Sequence, residues 1–448
     1  MTLPEEFVTY TRRLFGEELW RKFEKGMQEE PPVSLRLNPF KFDAARMELP
    51  GEGDGGVEWC PEGLYLKERP QFTLDPLLHA GAYYVQEAAS MYVSHVLRSH
   101  ACGGEPLMVL DLCAAPGGKT TAVRSVLPEG SLLMANEPVR QRANILMENV
   151  QKFGHPDVMV TNSYAQDYRR SGLQFDVVIA DVPCSGEGMF RKDKGAVEEW
   201  SVQNVQKCAR LQREIIADIM PCLRPGGLLV YSTCTFNAHE DEENTAHIAG
   251  EYGMQLLEER HFVPGATRTE GLYIAALRNP GDAPGIMLSA GRKKEKKPKK
   301  GNGARQPAVQ GAKVMGQWIA AAGEYDITML GGRAVAVKKA WRAQYDTALE
   351  KLRLMHAGVE LGEPKGKDIV PAAGLALSLA FNGGAFPTAE VDTATALAYL
   401  RREPIQLAEG TERGYVAVAY RGLTLGFVKN LGNRTNNLYP QEWRIRKQ

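Results

Sequence analysis

The amino-acid sequence predicts an α/β fold built around a mostly parallel sheet that is covered on both faces. Between about residues 72 and 284, short apolar strands alternate with amphipathic helices, which is the pattern of parallel strands joined by helical crossovers. The strands are apolar along their whole length, as is typical of strands buried on both faces. A chain of 448 residues is longer than one ordinary domain, so we expect further units on either side of this core.

The elements of the core follow one another in a regular order. Strands are predicted at 107–112, at 131–136 and in the segments VMVT, FDVVIAD and GGLLVYS. Helices are predicted between them, from KTTAVRSVL, from VRQRANILMENVQKF before Gly154, and from about Gln203 to Leu223. The alternation therefore continues through the whole region.

Units of different character are predicted outside the core. The N-terminal segment begins with a helical pattern in EEFVTYTRRLFGEELWRKFEKGM and continues into the short strand VSLRLNPFK. Near the C-terminus, period-two alternation with glycine turns in YVAVAYRGLTLGFVKNL indicates an antiparallel or barrel-like β-module. The predicted units are an N-terminal α+β domain (1–68), the core (69–284), a basic flexible linker (285–315), a small α/β domain (316–378) and the β-module (379–448).

The composition is that of a globular protein, with 44% hydrophobic and 24% charged residues. The first residues, MTLPEEFVTYTRR, lack the apolar segment of a signal peptide, and the longest apolar stretch is far too short for a membrane span. The seven cysteines form no CxxC pair, so we expect no zinc or other metal site and no disulfide framework. We therefore expect a cytoplasmic monomer without a membrane partner, in which a reactive thiol stays reduced.

The net charge of zero conceals an uneven distribution. From Ile286 to the C-terminus there are 26 Lys and Arg residues against 14 Asp and Glu residues, a net charge of +12 that the rest of the chain balances. A basic segment attached to an acidic body indicates a polyanionic partner held mainly by the C-terminal part. A solvated surface with uneven charge explains the same counts equally well.

A loop of small residues, LDLCAAPGGKT, joins the first core strand to a helix. Its alanines and glycines let the backbone approach a ligand, and the helix N-terminus presents free N–H groups. A GxxxxGK[ST] triphosphate loop does not fit, because Cys113 stands where its first glycine belongs, and GxGxxG is absent. Glu137 follows the second strand, where a carboxylate can bind a ribose diol, although it is also a common helix-start charge. Together these features favour S-adenosyl-L-methionine as the ligand.

Two cysteines lie just past the ends of two predicted strands. Cys184 follows FDVVIAD within DVPCSGEGMF, and Cys234 follows LLVYS within STCT. Because parallel strands end at the same edge of a sheet, we expect these two thiols at one place. Cys208 and Cys222 lie on helical patterns and are expected to be small buried hydrophobic residues.

The segments DLCAAPGGKT, DVPCSGEGMFRKD and YSTCTFNAHEDEEN resemble, in this order, the motifs of the Sun-type RNA cytosine-5 methyltransferases. The pair of PCSG and STCT is very specific to that family, and YYVQEAASM resembles the segment that leads into its core. The organisation is similar to the bacterial RsmF-like branch of 16S rRNA methyltransferases, and the ending resembles that branch's PUA-like RNA-binding module. Arg191 and Lys192, just past PCSG, are candidates for contacts with RNA phosphates.

The resemblance covers most of the chain and implies a function. It implies a Rossmann-like core that methylates carbon 5 of cytosine in RNA with S-adenosyl-L-methionine as cofactor, and small-subunit ribosomal RNA as partner. A transfer RNA substrate and an inactive RNA-binding assembly factor are the alternatives. In the implied chemistry, a thiolate adds to carbon 6 and makes carbon 5 an enamine carbon that can accept the methyl group.

The resemblance also implies roles for individual residues. Attack on carbon 6 is assigned to Cys234, help in elimination to Cys184, and hydrogen bonding to the base to Asp181. Asn162 is implied as the adenine-side contact, at a place where the family often has an aspartate. The other implied donor contacts are Cys113, Ala114, Ala115, Pro116, Gly117, Gly118, Lys119, Glu137 and again Asp181.

The uneven charge generates a prediction about RNA binding. Replacing the linker's basic residues by glutamine should flatten the salt dependence of RNA affinity and raise the apparent KM for RNA, because fewer phosphate contacts release fewer counterions. The affinity for S-adenosyl-L-methionine should stay unchanged, since the donor loop lies in the core. RNA-binding isotherms at several salt concentrations measure the effect, and equal slopes would leave a solubilising tether as the explanation. The seven linker residues to be replaced are Arg292, Lys293, Lys294, Lys296, Lys297, Lys299 and Lys300. Further positive charge near the β-module, which this experiment leaves unchanged, comes from Lys429, Arg434, Arg444, Arg446 and Lys447.

Overall fold

The structure is a computed structural model that describes residues 3–280, 309–366 and 368–446. Most of the predicted linker, including all seven of its clustered basic residues, lies outside the described residues, as does Lys447. Within the described ranges, no helix combines the length and apolar character that crossing a membrane would require.

The N-terminal unit combines a long helix with a four-stranded antiparallel sheet. Its elements are α1 (Glu5–Gly26), β1 (Val33–Leu37), β2 (Gly53–Val57), β3 (Cys60–Leu66), α2 (Pro76–His79) and β4 (Tyr83–Val85). The strand order is β2-β3-β1-β4, and every pair is antiparallel. The predicted helix and the strand VSLRL are confirmed, and the predicted boundary at residue 68 lies between β3 and β4 of this one sheet.

The core is an α/β unit whose strands alternate with helices. Its elements are α3 (Tyr92–His100), β5 (Met108–Asp111), α4 (Gly118–Val126), β6 (Leu132–Asn136), α5 (Arg140–Phe153), β7 (Val158–Thr161), α6 (Ala165–Ser171), β8 (Phe175–Asp181), α7 (Lys194–Glu199), α8 (Val202–Ile219), β9 (Leu223–Thr233), α9 (Glu242–Tyr252), β10 (Gln255–Phe262) and β11 (Leu272–Arg278). Strands β5 to β9 form a parallel set, which confirms the predicted sheet. An antiparallel hairpin of β10 and β11, which was not predicted, extends it next to β9.

The C-terminal part contains two further sheets. Its elements are α10 (Ala312–Met315), β12 (Tyr325–Leu330), β13 (Arg333–Lys338), α11 (Arg342–Lys351), β14 (Leu354–Ala357), β15 (Val359–Lys365), β16 (Asp368–Pro371), α12 (Ala373–Leu377), β17 (Thr388–Glu390), α13 (Thr393–Leu400), β18 (Gly414–Tyr420), β19 (Leu423–Asn430) and β20 (Thr435–Asn437). The two sheets have the orders β12-β13-β15-β16 and β17-β18-β19-β20. The predicted antiparallel pairing within the β-module is confirmed by β18 and β19.

Strand β14 links the C-terminal part to the core. It pairs antiparallel with β7, so the core sheet has eight strands in the order β10-β11-β9-β8-β5-β6-β7-β14. The predicted small α/β domain at 316–378 therefore shares a sheet with the core, and its independence stays a prediction. The β-module also packs on the N-terminal unit, where Leu35 and Leu77 share an apolar cluster with Tyr399 and Val416.

Both faces of the core sheet are covered. Along β5, the fully buried Val109 belongs to one apolar layer and the fully buried Leu110 to the other, as the alternating side chains of a strand require. Helices α3 and α4 supply the first layer and α6 and α8 the second. The Rossmann-like arrangement thus leaves the carboxyl edge of the sheet as the place where its loops meet.

An aromatic cluster fastens α1 to the loops that carry the two predicted thiols. The rings of Phe7 and Phe190 lie 5.1 Å apart in an edge-on arrangement, and so do the rings of Phe23 and Phe236. Phe190 follows PCSG, and Phe236 follows STCT. Because buried aromatic pairs contribute both area and specific geometry, the N-terminal helix stabilises both loops.

Gly81 brings the N-terminal unit into close contact with α5. It has φ of +74°, and a Cβ atom there would lie 1.8 Å from the carbonyl oxygen of Lys152. We predict that Gly81→Ala destabilises the protein by about 1–3 kcal/mol more than Gly172→Ala, because backbone must move. Gly172 is the matched control, since its φ is +76° and no atom lies within 4 Å of its added Cβ. Urea unfolding of both variants measures the difference, and equal losses would contradict the close packing.

Candidate active site

Four loops converge at the carboxyl edge of the core sheet, after β5, β6, β8 and β9. A cavity of about 180 Å³ lies at this edge, between the core and the strand β4 of the N-terminal unit. Its walls are formed by Tyr84, Val85, Gln86, Glu87, Ser90, Cys113, Ala114, Ala115, Pro116, Gly118, Lys119 and Asp181. The cavity thus unites most of the predicted donor loop with Asp181.

The small-residue loop between β5 and α4 is fixed by hydrogen bonds to its neighbours. The backbone N–H of Ala114 donates to the carbonyl of Asn136 over 2.8 Å, and the Asn149 amide donates to the carbonyl of Pro116 over 2.8 Å. Gly117, with φ of +111°, takes the left-handed conformation directly before α4. These contacts hold the loop backbone in one shape beside the cavity.

Glu137 is buried just past the end of β6, and only one of its carboxylate oxygens is hydrogen-bonded. Oε1 accepts from the backbone N–H of Val139 at 2.9 Å. Oε2 is buried without a hydrogen-bond partner among the described residues, and the Arg142 guanidinium lies 3.5 Å from it. A buried acceptor without a donor costs free energy, and a ribose diol would supply that donor. The geometry therefore fits the predicted ribose contact.

Asp111 is a second buried carboxylate at this edge, and it was not predicted from the sequence. Its Oδ2 accepts from the Thr120 hydroxyl at 2.7 Å, while its Oδ1 has no partner among the described residues. Burial raises the pKa of Asp111 to about 7. An ammonium group, such as that of S-adenosyl-L-methionine, would satisfy this oxygen. The signal in the sequence is the same as for Asp181, since each acid ends an apolar strand.

Asn162 lies beside Glu137, where it supports the turn after β6. Its amide nitrogen donates to the carbonyls of Glu137 and Pro138, both over 2.8 Å. With both amide hydrogens committed, only the side-chain oxygen could contact an adenine. The adenine-side role of Asn162 stays a prediction.

The thiols of Cys184 and Cys234, which were expected to lie close together, are in contact at the carboxyl edge of the sheet. The Sγ atoms of Cys184 and Cys234 lie 3.0 Å apart, and the N–H of Gly188 donates to the carbonyl of Cys234 at 2.8 Å. The hydrogen bond with Cys234, together with burial, raises the pKa of Cys184 well above the ordinary range of a thiol. Either sulfur can be the donor in this hydrogen bond. Of the two cysteines expected to be buried hydrophobic residues, Cys222 is buried, whereas Cys208 is only half-buried.

Asp181 is oriented by two partners at the end of β8. Its Oδ2 lies 2.9 Å from the Lys119 ammonium, and its Oδ1 accepts from the Ser232 hydroxyl at 2.7 Å. Burial alone would lower the pKa of Lys119, but the charge and hydrogen bond of Asp181 raise it above its ordinary value. Lys119 is thus a cation of the cavity wall and no ordinary surface residue.

Two buried glutamates behind the thiols tie their loops together, and sequence reasoning missed both. Glu240 accepts from the backbone N–H of Ser185 at 3.0 Å and also from its hydroxyl. In the opposite direction, Glu187 accepts from the backbone N–H of Phe236 at 2.7 Å. Burial raises the pKa of Glu187 to about 7 and raises that of Glu240 as well. The only signal was their position within the conspicuous segments GEGMF and AHEDEEN.

The guanidinium of Arg191 is buried and bonded to protein partners, which argues against the phosphate contact considered above. Its side chain is 5% exposed, and its guanidinium donates to Glu270 at 2.8 Å. It also donates to the carbonyls of Gly26 at 2.8 Å and Thr269 at 2.9 Å. Arg191 therefore fastens the end of α1 to the core, while Lys192 stays partly exposed at 3.2 Å from Glu270.

The carboxyl edge offers acceptors for a ribose and an ammonium group and, beside them, a pair of thiols on a Rossmann-like sheet. That combination is typical of S-adenosyl-L-methionine-dependent methyltransferases that attack their substrate covalently. Residues 104–278 match the family described as 16S rRNA methyltransferase RsmB/F. Ribosomal RNA small subunit methyltransferase F of Citrobacter koseri is 30% identical over 478 residues, which span 98% of this chain and 96% of that protein. The chain belongs to the family of ribosomal RNA small subunit methyltransferase F.

The other comparisons extend over the remaining parts of the chain. Residues 3–88 match the N-terminal domain of 16S rRNA methyltransferase RsmF, and residues 386–445 match the methyltransferase RsmF PUA domain. Ribosomal RNA small subunit methyltransferase F of Shewanella loihica is 28% identical, over 91% of this chain and 88% of that protein. The resemblance predicted from the motifs is confirmed, and with it the enzyme class and S-adenosyl-L-methionine as cofactor.

Solved structures agree on the fold. NSun6 from Pyrococcus horikoshii superposes with a TM-score of 0.54 and 22% identity, over 62% of this chain and 99% of that one. A methyltransferase homolog protein from the same organism gives a TM-score of 0.52 and 23% identity, over 62% of this chain and 100% of that one. With the PUA match, they confirm the predicted fold class.

The half-satisfied carboxylate of Glu137 generates a prediction about cofactor affinity. Glu137→Ala should weaken S-adenosyl-L-methionine binding by about 1.5–3 kcal/mol, because a charge-assisted hydrogen-bond pair to the ribose is lost. Calorimetric titration of the full chain measures the change. Glu148→Ala is the control, since Glu148 lies on α5 and is paired with Lys152 at 2.6 Å. An unchanged affinity in Glu137→Ala would leave Glu137 as a helix-start charge.

Proposed function

We propose that the protein methylates carbon 5 of cytosine in the RNA of the small ribosomal subunit through a covalent adduct with Cys234. Family membership supports the reaction and the substrate class. The observation that carries the covalent step is the pair of sulfur atoms 3.0 Å apart beside the donor cavity. A covalent mechanism has two steps, attack on the base and release of the product. A second thiol in contact with the first offers a group for the release step.

In this proposal the two thiols have different roles. Attack is assigned to Cys234 and help in release to Cys184 on the family resemblance of STCT and PCSG, and the contact between the two sulfur atoms supports this division. Addition of Cys234 to carbon 6 makes carbon 5 nucleophilic, and bound S-adenosyl-L-methionine supplies the methyl group. A water molecule then accepts the carbon 5 proton, the bond between Cys234 and carbon 6 breaks, and the ring regains its aromaticity. Cys184 lies next to the departing Cys234 thiolate and can stabilise it by a hydrogen bond from its thiol.

Asp181 is the group that recognises the reacting base. Its carboxylate is held by Lys119 and Ser232 and is about one-third exposed towards the cavity. A hydrogen bond from Asp181 to the ring nitrogen or the exocyclic amine of cytosine would favour charge uptake as the thiolate adds. Lys119 fixes its direction, so the pair orients both the base and the donor.

RNA is bound mainly by the C-terminal module in this proposal. Arg434, Arg444 and Arg446 are exposed on it and form no ion pair among the described residues. Lys429 contributes less, because its ammonium lies 2.7 Å from Asp368. Exposed arginines next to a β-surface are typical phosphate contacts. The monomeric state stays a prediction.

Two alternatives make different predictions. If transfer RNA is the substrate, a deletion strain loses 5-methylcytosine from tRNA and not from 16S rRNA. Bisulfite sequencing of both RNAs from that strain separates the two substrates. An inactive assembly factor would transfer no methyl group to either RNA. The intact thiol pair, Asp181 and donor loop favour an active enzyme over such a factor.

The division of roles generates opposite predictions for the two thiols. Cys234→Ala should abolish turnover and form no adduct, whereas Cys184→Ala should allow attack and accumulate a covalent protein–RNA complex. A denaturing gel with labelled RNA detects the complex. Cys208→Ala is the control and should keep full activity, because this half-buried thiol lies on α8. A trapped band in Cys234→Ala and none in Cys184→Ala would reverse the assignment.

A further inference from the structure

Three potential metal ligands meet where α9 begins and β10 ends. Asp241 and Glu242 are neighbours at the N-terminus of α9, and His261 is the penultimate residue of β10. One ligand atom from each of the three lies within 4.8 Å of the other two. The cluster is distinct from the donor cavity, whose lining contains none of these residues.

Each of the three residues has a buried polar atom without a hydrogen-bond partner among the described residues. These atoms are Oδ2 of Asp241, Oε2 of Glu242 and Nδ1 of His261. The unpaired oxygen of Asp241 carries the largest desolvation cost, because this residue has no exposed surface. Buried polar groups are almost always satisfied in folded proteins, so three unsatisfied atoms in one cluster point to a missing partner.

An ion pair beside a protonated acid is the alternative account. His261 Nε2 lies 2.9 Å from Oε1 of Glu242, and burial raises the pKa of Asp241 well above its usual range. A proton on Asp241 would pair at most one of the two remaining atoms, Glu242 Oε2 and His261 Nδ1, and leaves the other without a partner among the described residues. A divalent cation would compensate the two carboxylates and give all three side chains a common partner.

We propose that Asp241, Glu242 and His261 bind a divalent transition-metal ion. Two carboxylates and one imidazole are ligands that Mn²⁺, Fe²⁺ and Zn²⁺ accept. Ligand atoms about 2.1 Å from an ion lie roughly 3.4 Å from one another, so the partly exposed Glu242 and His261 need only a small inward movement. Water completes the coordination on the exposed side.

The ion would have a structural consequence for the catalytic loop. The second oxygen of Asp241 accepts from the Thr235 hydroxyl at 2.9 Å and from the Thr233 hydroxyl. These threonines stand on either side of Cys234. The ion would therefore tie the β10–β11 hairpin, through Asp241, to the segment that carries the nucleophile.

Mn²⁺ binding to the metal-stripped full chain tests the proposal. Mn²⁺ is the probe because it prefers oxygen and imidazole to thiolate ligands, so the pair of Cys184 and Cys234 does not compete for it. Electron paramagnetic resonance should show one bound Mn²⁺ per chain, and Mn²⁺ should raise the melting temperature. Glu242→Gln, which keeps the size of a half-exposed side chain, should lower the affinity at least about tenfold.

Glu243→Gln is the matched control. Glu243 lies on the same helix as Glu242 and pairs at 2.8 Å with His239, which precedes that helix, but it belongs to no three-ligand cluster among the described residues. This variant should therefore bind Mn²⁺ as the unmodified chain does. The proposal is overturned if the unmodified chain binds no Mn²⁺, or if Glu242→Gln binds it equally well. If circular dichroism shows that Glu242→Gln is unfolded, His261→Asn is judged by the same criteria. None of these measurements depends on methyl transfer, so their results do not test the proposed reaction.

Discussion

Parallel pairing of β8 with β9 places Asp181 opposite Ser232, and the arrangement of the active site depends on this register. Both strands end at the same edge of the sheet. Cys184 lies three residues after Asp181, the last residue of β8, and Cys234 directly follows Thr233, the last residue of β9. A shift of one residue would turn every side chain of the shifted strand to the opposite face and separate the thiols. The Ser232 hydroxyl bonded to Asp181 reinforces the pairing with a side-chain contact. The buried sheet thus determines which atoms can meet in the cavity.

Four buried carboxylates, those of Asp111, Glu137, Glu187 and Glu240, lie around the carboxyl edge of the core sheet. Burial raises the pKa of Asp111 and of Glu187 to about 7 in each case, so both are held at a free-energy cost. Glu187 and Glu240 are compensated by backbone and side-chain donors from the opposite cysteine loop. Asp111 and Glu137 each keep one oxygen unpaired, which is what a site for a cationic, hydroxyl-bearing cofactor requires. Buried carboxylates therefore have two roles at this edge. Those whose oxygens are hydrogen-bonded support the cysteine loops, and those with an unpaired oxygen are suited to binding the cofactor.

The parts predicted from the sequence are those that local pattern determines. The parallel strands were visible as apolar runs, and the meeting of Cys184 and Cys234 followed from their positions at strand ends. Pairings between distant segments were not visible: β14 joins β7 across almost 200 residues of chain. The hairpin strand β10 reads QLLEERHF and is half-exposed, so it lacks the apolar run that marked the others. Arg191 was misjudged for the same reason, because its carboxylate partner Glu270 lies 79 positions along the chain.

The edge strand β14 has a consequence for how a long RNA could be handled. Because β14 hydrogen-bonds to the core sheet and the β-module packs on the N-terminal unit through Leu35 and Tyr399, the C-terminal half is attached to the catalytic half at two separate places. Two attachments remove the freedom to swing that a single tether would leave. An RNA gripped by the module would then meet the thiols at a set distance from the grip. If the module binds RNA as proposed, the two attachments set how far along the RNA the thiol pair lies from the bound segment.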